Sequence, residues 1–266
     1  MFLLDLIFPP TCEYCKKVGK YVCNNCYKKI VSLELKKNEK NDKFFMYKYD
    51  GEIRELILKY KFRDKSYLCN FFAEKICECE EAAKFIKNYD VIVPVPLHKK
   101  RLLERGYNQT YEVAKLIVKN LNYNNKKIDK SKYIASKKLA QNENNNGAYN
   151  NNQNMRDMYY KDGANRSICN NTKPQQLEEN KIKCVNNVLK KVKNIKPQSL
   201  QDKKNRENNV KNVFRVENAK IIMNKNVLIF DDIYTTGSTA CECKKVLLKA
   251  GAKKCGIMTI ARDFID

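Results

Sequence analysis

The sequence is short of acids, of histidine and of long apolar runs. Against 53 lysines and arginines stand 30 aspartates and glutamates, a formal charge of +23. An excess of this size is suited to polyanions, because basic side chains that neutralise phosphates release counterions. Lys, Asn, Ile and Tyr are abundant throughout, the bias of an A+T-rich coding sequence, and no RNA- or DNA-binding module with its own signature is visible. His98 is the only histidine. It leaves one imidazole for proton transfer, on a basic loop where plain solvent exposure is the simpler role. No apolar stretch reaches the length of a membrane span. Met1–Pro10 is apolar but too short, contains Asp5, and has neither a basic leader nor a small-residue cleavage site. A cytoplasmic protein is the expectation, with its 12 cysteines reduced and free to hold metal.

What is present is organised around Val227–Thr239, V-L-I-F-D-D-I-Y-T-T-G-S-T. Val227 to Phe230 is an apolar run suited to a strand buried on both faces, with Asp231 and Asp232 at its carboxyl end. Thr235-Thr236-Gly237-Ser238-Thr239 is a hydroxyl-rich turn, and a helix is predicted from Thr239 to Ala250, stopped by Gly251. Unpaired N–H groups at a helix start, beside hydroxyls and a glycine, form a cradle for a phosphate monoester. The acids can accept hydrogen bonds from vicinal ribose hydroxyls or hold Mg²⁺ through water. Phosphate, diol and metal together describe a phosphorylated sugar at the binding edge of an open α/β sheet. The stretch resembles the phosphoribosyl pyrophosphate (PRPP) signature of type I phosphoribosyltransferases.

Near the other end, Cys12-x2-Cys15 and Cys23-x2-Cys26 are seven residues apart. Two such knuckles suit structural zinc in closed tetrahedral geometry, ahead of catalytic zinc or disulfides, and a segment this short should need the metal to fold. Cys77-x-Cys79 and Cys241-x-Cys243 lack that spacing and, with Cys69, read as packing residues. Phe44 to Tyr60 reads as strand, turn at Asp50-Gly51, then helix, and Tyr67 to Ile86 as one amphipathic helix. Lys59-Tyr60-Lys61-Phe62-Arg63 reads as a solvated helix end. Asp90 to Pro96 is a strand closed by prolines. Past it, Leu97-His98-Lys99-Lys100-Arg101 is a basic loop, and Arg105-Gly106-Tyr107-Asn108-Gln109 opens a helix to about Leu121. Such a loop at a strand's carboxyl end fits pyrophosphate. From 124 to 190 apolar periodicity collapses, and residues 141–154 hold eight asparagines in fourteen positions. This stretch, which includes Cys169 and Cys184, is expected to be a disordered insertion. Cys255 to Ala261 is a last buried strand, with Arg262 at its exit.

Taken together, the segments resemble the ComF family of phosphoribosyltransferase-like proteins, named for its link to competence for DNA uptake. The resemblance is carried by Pro9-Pro10 with the four cysteines, Tyr49-Asp50-Gly51, Leu58-Lys59-Tyr60-Lys61, Val93-Pro94-Val95-Pro96-Leu97, Arg105-Gly106-Tyr107-Asn108-Gln109, Pro197-Gln198, Arg206 with Asn209-Val210, and Asp231–Thr239. It implies an α/β fold, a parallel sheet flanked by helices over 44–123 and 191–266, with a zinc-ribbon-like module of four cysteines over 1–43. It also implies that Asp231 and Asp232 bind ribose and serve catalysis, and that Thr235, Thr236, Gly237, Ser238 and Thr239 hold the 5′-phosphate. Lys99, Lys100, Arg101 and Arg105 would hold pyrophosphate, with Mg²⁺ bridging it to the ribose. The implied partners are PRPP and, in a second, non-catalytic reading, single-stranded DNA or the competence machinery.

Overall fold

Val227–Phe230 forms the middle of a five-stranded sheet. The computed structural model describes residues 9–30, 42–62, 65–123, 181–193 and 212–264. Strands β1 (Lys43–Lys48), β2 (Val91–Pro94), β3 (Lys183–Cys184), β6 (Asn226–Tyr234) and β7 (Lys254–Arg262) pair in the order β1-β7-β6-β2-β3, all parallel. A two-stranded antiparallel sheet joins β4 (Leu189–Lys191) to β5 (Phe214–Val216).

Alternation along β6 sends its side chains to two cores. Leu228 and Phe230, with Met258 and Ile260 of β7, meet α2 (Gly51–Phe62), α3 (Leu68–Glu78), α4 (Glu80–Ile86) and the helical residues 109–123, here α6. Val227 and Ile229, with Ile257, meet α7 (Ser238–Lys249) and the β4-β5 pair through Cys243, Leu247, Leu189 and Phe214. A parallel sheet covered on both faces is why these strands read as unbroken apolar runs. The cysteine segment, with its short helix α1 (Asn24–Tyr27), shares the first core: Val22 and Ile30 are buried in it. No helix among the described residues is long and apolar enough to cross a membrane.

Four boundaries differ from the sequence reading. The helix expected over Tyr67–Ile86 is two, because Cys79 takes an extended conformation (φ −77°, ψ 111°) and Glu80 and Glu81 restart the next helix, where acids favour the N-terminal dipole. Strand β6 runs four residues past Phe230, since β7 still pairs with it through Tyr234 after β2 has ended at Pro94. The segment after β2 holds an additional helix, α5 (Lys99–Arg105), which stops at Gly106 in the left-handed region (φ 80°) before α6 begins. Residues 181–190, expected in the insertion, instead carry β3 and β4. Val188 and Leu189 are buried in the second core, but strands this short show no periodicity.

Met1–Asn122 and Lys181–Asp266 group as one compact unit and Tyr123–Asn180 as another. Only Tyr123 of the latter is described. The Asn-rich stretch, Cys169, Pro197-Gln198, Arg206 and Asn209-Val210 lie outside the described residues.

Candidate functional site

Where β2 ends and β6 continues, the carboxyl edge of the sheet carries both acids. Asp231 lines a recess with Tyr234, Thr235, Gly237, Thr239 and Thr259, about 230 Å³ including its open mouth. Much of that volume is open to solvent, so the recess is a shallow depression in the surface and not an enclosed pocket. The floor is fixed by Gly237, the N-cap of α7, which sits at φ 79°. A Cβ there would overlap the Tyr234 hydroxyl, so the ring closes directly over the glycine. Tyr234 Oη accepts a hydrogen bond from Lys43 Nζ at 3.0 Å. Thr236 Oγ1 and Ser238 Oγ lie 2.7 Å apart, and Thr236 Oγ1 also accepts the Ser238 N–H at 3.4 Å. The glycine N-cap has no side chain of its own, so the next two amides of α7, those of Thr239 and Ala240, keep the donors of a helix start.

The two acids face different surroundings. Asp231 Oδ1 accepts the N–H of Asp232 at 2.9 Å. Burial, and then the charge of Asp232, push the Asp231 carboxyl up to about 7, against the pull of that N–H, Lys61 and Lys191. Asp232 is buried on the other face of the sheet. Its Oδ1 accepts from Lys61 Nζ at 2.8 Å and its Oδ2 from Gln109 Nε2 at 2.7 Å. Gln109 Oε1 in turn accepts from Arg105 Nη1. Tyr60 Oη donates to the Gln109 carbonyl at 2.8 Å, and Tyr107 Oη to the Tyr60 carbonyl. Three motifs from distant parts of the chain thus meet at one carboxylate.

The basic loop divides. Lys99 and Lys100 are exposed at the start of α5, and His98 caps that helix, its Nδ1 accepting the Lys100 N–H at 3.3 Å. Arg101 and Arg105 are half-buried and close enough to influence each other's charge. Burial draws the Arg105 pKa down and the Asp232 charge holds it up. Sequence reasoning missed Lys191 on β4. Burial lowers its pKa, Arg101 lowers it further, and Asp231 opposes both, so a half-buried cation on β4 lies within electrostatic reach of the acid of the recess. One lysine in a Lys-Lys pair gave no signal of this. Lys61 was also missed as a site residue, because alternating bases and aromatics look like a solvated helix end. Its side chain is in fact only 15% exposed and Lys59's 10%.

The four knuckle cysteines converge. The Sγ atoms of Cys12, Cys15, Cys23 and Cys26 all lie within 4.8 Å of one another. That spacing fits four thiolates around one ion with Zn–S bonds of about 2.3 Å. Burial would raise the Cys12 thiol, but hydrogen bonds from the N–H groups of Cys15, Cys23 and Tyr14 outweigh it and draw the pKa to about 6. Cys26 goes the other way, to about 12, through burial and its neighbouring sulfurs. A cation is what would let all four ionise together, so the donor set fits a metal such as zinc. Glu13, inside the first knuckle, is buried, with Lys59 Nζ 3.5 Å and Lys65 Nζ 3.6 Å from its carboxylate and Tyr67 Oη donating to it. Of the other cysteines, Cys243 and Cys255 are buried as packing residues, while Cys241 is exposed on α7.

No family model matches the chain. It is similar to Competence protein F of Haemophilus influenzae (strain ATCC 51907 / DSM 11121 / KW20 / Rd), 23% identical over 261 residues that cover 95% of this chain and 85% of that protein.

Proposed function

We propose that this chain is a PRPP-binding, phosphoribosyltransferase-like protein of the ComF type, linked to DNA uptake and stabilised by zinc on Cys12, Cys15, Cys23 and Cys26. The observation that carries the reading is the recess joining Asp231, past the end of β2 on the central strand, to the start of α7 across a hydroxyl-rich turn. The α7 amides and the Thr235–Thr239 hydroxyls hold the 5′-phosphate. Asp231 accepts from the ribose hydroxyls, and Arg101 and Arg105, with Lys99 and Lys100 at the rim, meet the pyrophosphate. Asp231 fits a cation, since a carboxyl held near neutrality by burial ionises more readily beside one. Mg²⁺ bound there would neutralise charge on the departing pyrophosphate.

Departure of pyrophosphate leaves positive charge on the ribose ring, which the Asp231 carboxylate favours, and negative charge on the leaving group, which the arginines stabilise. A nitrogen nucleophile as acceptor completes the transfer. The similarity to a protein named for competence supports the link to DNA uptake. Calorimetric titration of PRPP with Mg²⁺ into zinc-loaded protein tests the reading. Wild type is expected to bind and folded Asp231→Asn to lose binding; a folded wild type that gives no heat would refute it.

The same relative and the +23 charge favour a second reading, a non-catalytic binder of single-stranded nucleic acid. Its mark is affinity for single-stranded DNA that falls steeply with salt and survives Asp231→Asn.

A further inference from the structure

The two adjacent acids differ in one decisive respect. Asp231 opens into the recess, and among the described residues its carboxylate accepts only the Asp232 N–H. Asp232 has both oxygens taken, by Lys61 at 2.8 Å and by Gln109 at 2.7 Å, with its side chain 7% exposed. Each oxygen thus already has a donor, and at so low an exposure the acceptor sites that remain face the protein interior, where a sugar hydroxyl has little room to enter.

The chain of bonds continues in a fixed sense. Arg105 carries donors only, so Gln109 must turn Oε1 to it and Nε2 to Asp232; a flipped amide would set donor against donor at Arg105 and acceptor against acceptor at Asp232. Lys61, Asp232, Gln109 and Arg105 therefore alternate donor and acceptor without a gap. Tyr60 holds the Gln109 backbone from beneath.

We propose that Asp232 is a positioning residue that acts through Gln109 to aim the Arg105 guanidinium at the anion site, while Asp231 alone is the acid that meets the ligand. This rests on the reading of the recess as a site for a phosphorylated pentose, and it assigns unequal roles to two acids that the sequence makes look alike. In Asp232→Asn, the introduced amide nitrogen faces Gln109. The side chain of Gln109 then turns its oxygen to that amide and its nitrogen to Arg105, and the guanidinium is repelled. Adding Gln109→Glu repairs the alternation at unchanged net charge, because a carboxylate at 109 accepts from both the amide and Arg105.

The experiment uses zinc-loaded full-length protein, calorimetry with ribose 5-phosphate and with PRPP plus Mg²⁺, and thermal denaturation of every variant. Loss of an aimed, charge-assisted contact should weaken PRPP binding about tenfold or more in Asp232→Asn, while ribose 5-phosphate changes by less than about threefold. The Asp232→Asn/Gln109→Glu double variant should recover PRPP affinity and thermal midpoint together, a rescue that simple loss of structure would not give. Asp231→Asn should lose both ligands. If Asp232→Asn loses ribose 5-phosphate and the double variant does not restore it, Asp232 is itself a ligand contact and the proposal is overturned. If wild type binds neither probe, the functional reading fails and takes the ligand role of Asp231 with it. Recovery of the thermal midpoint in the double variant would then uphold the four-residue chain alone, and its absence would overturn that too.

Discussion

Gly237 and Asp231 show how much single positions at the recess are constrained. At Gly237 an alanine meets two obstacles, a positive φ and the Tyr234 hydroxyl lying where its Cβ would go. Left-handed strain costs about 1–2 kcal/mol. Displacing the ring should add to that, so Gly237→Ala is expected to lower stability by roughly 2–4 kcal/mol in urea denaturation and to abolish phosphate binding. Asp231 makes a pH prediction. Its folded pKa of about 7 lies above the ordinary aspartate value, so the native state holds the extra proton between about pH 4 and 7. The stability this group contributes therefore falls as pH rises through that window. Relative to wild type, Asp231→Asn should gain about 3 kcal/mol between about pH 4.5 and 8, read from denaturation midpoints across the range. The acids and the turn were legible because strand, carboxylates and helix start are contiguous. The division of roles between the acids was not, because it depends on Lys61 and Gln109, 171 and 123 positions away from Asp232.

At the scale of elements, α2 links two places that sequence reading kept apart. Lys59 points to Glu13 in the first cysteine knuckle, and Lys61, about 200° further round the helix, points to Asp232. Periodicity found the helix from Ile53, Leu56, Ile57 and Tyr60. It could not show that both lysines leave solvent, since a buried lysine and a solvated one are written with the same letter. Removing metal should release the knuckles and unbalance the Glu13 pair. Chelation is expected to raise hydrogen exchange in residues 9–30 first and then along the last turn of α2, while amides of β6 and β7 stay protected. Glu13→Gln strands Lys59 with Glu55 as its remaining anion, at 2.9 Å. Breaking a buried pair at one end costs about 3–5 kcal/mol, and the surviving partner should hold the loss to roughly 1–3 kcal/mol in thermal or urea unfolding of metal-loaded protein.

Across the whole molecule, the parallel sheet and its helices were legible from apolar runs and their punctuation, and the cysteine module from spacing alone. The far boundary of the insertion was not, because β3 and β4 are too short to print a pattern among lysines and asparagines. That boundary matters for any shortened protein. A deletion carried through residue 184 would remove Lys183 and Cys184, which pair with Val91 and Ile92. Deleting 126–178 and closing the gap with a short Gly/Ser linker spares them. Loop-closure entropy changes slowly with length, so the thermal midpoint should stay within about 3–4 °C of the full chain.

The attachment points explain why. Asn122 Nδ2 donates to the Ile182 carbonyl at 3.2 Å, joining positions 60 apart in sequence, and β3 starts level with Val91, the first residue of β2. Both ends of the insertion leave from the amino edge of the sheet, and the acids stand at the opposite edge. A change of length between residues 123 and 180 therefore meets the sheet first at β3, with the Asn122–Ile182 bond and the whole length of β2 lying between it and the acids.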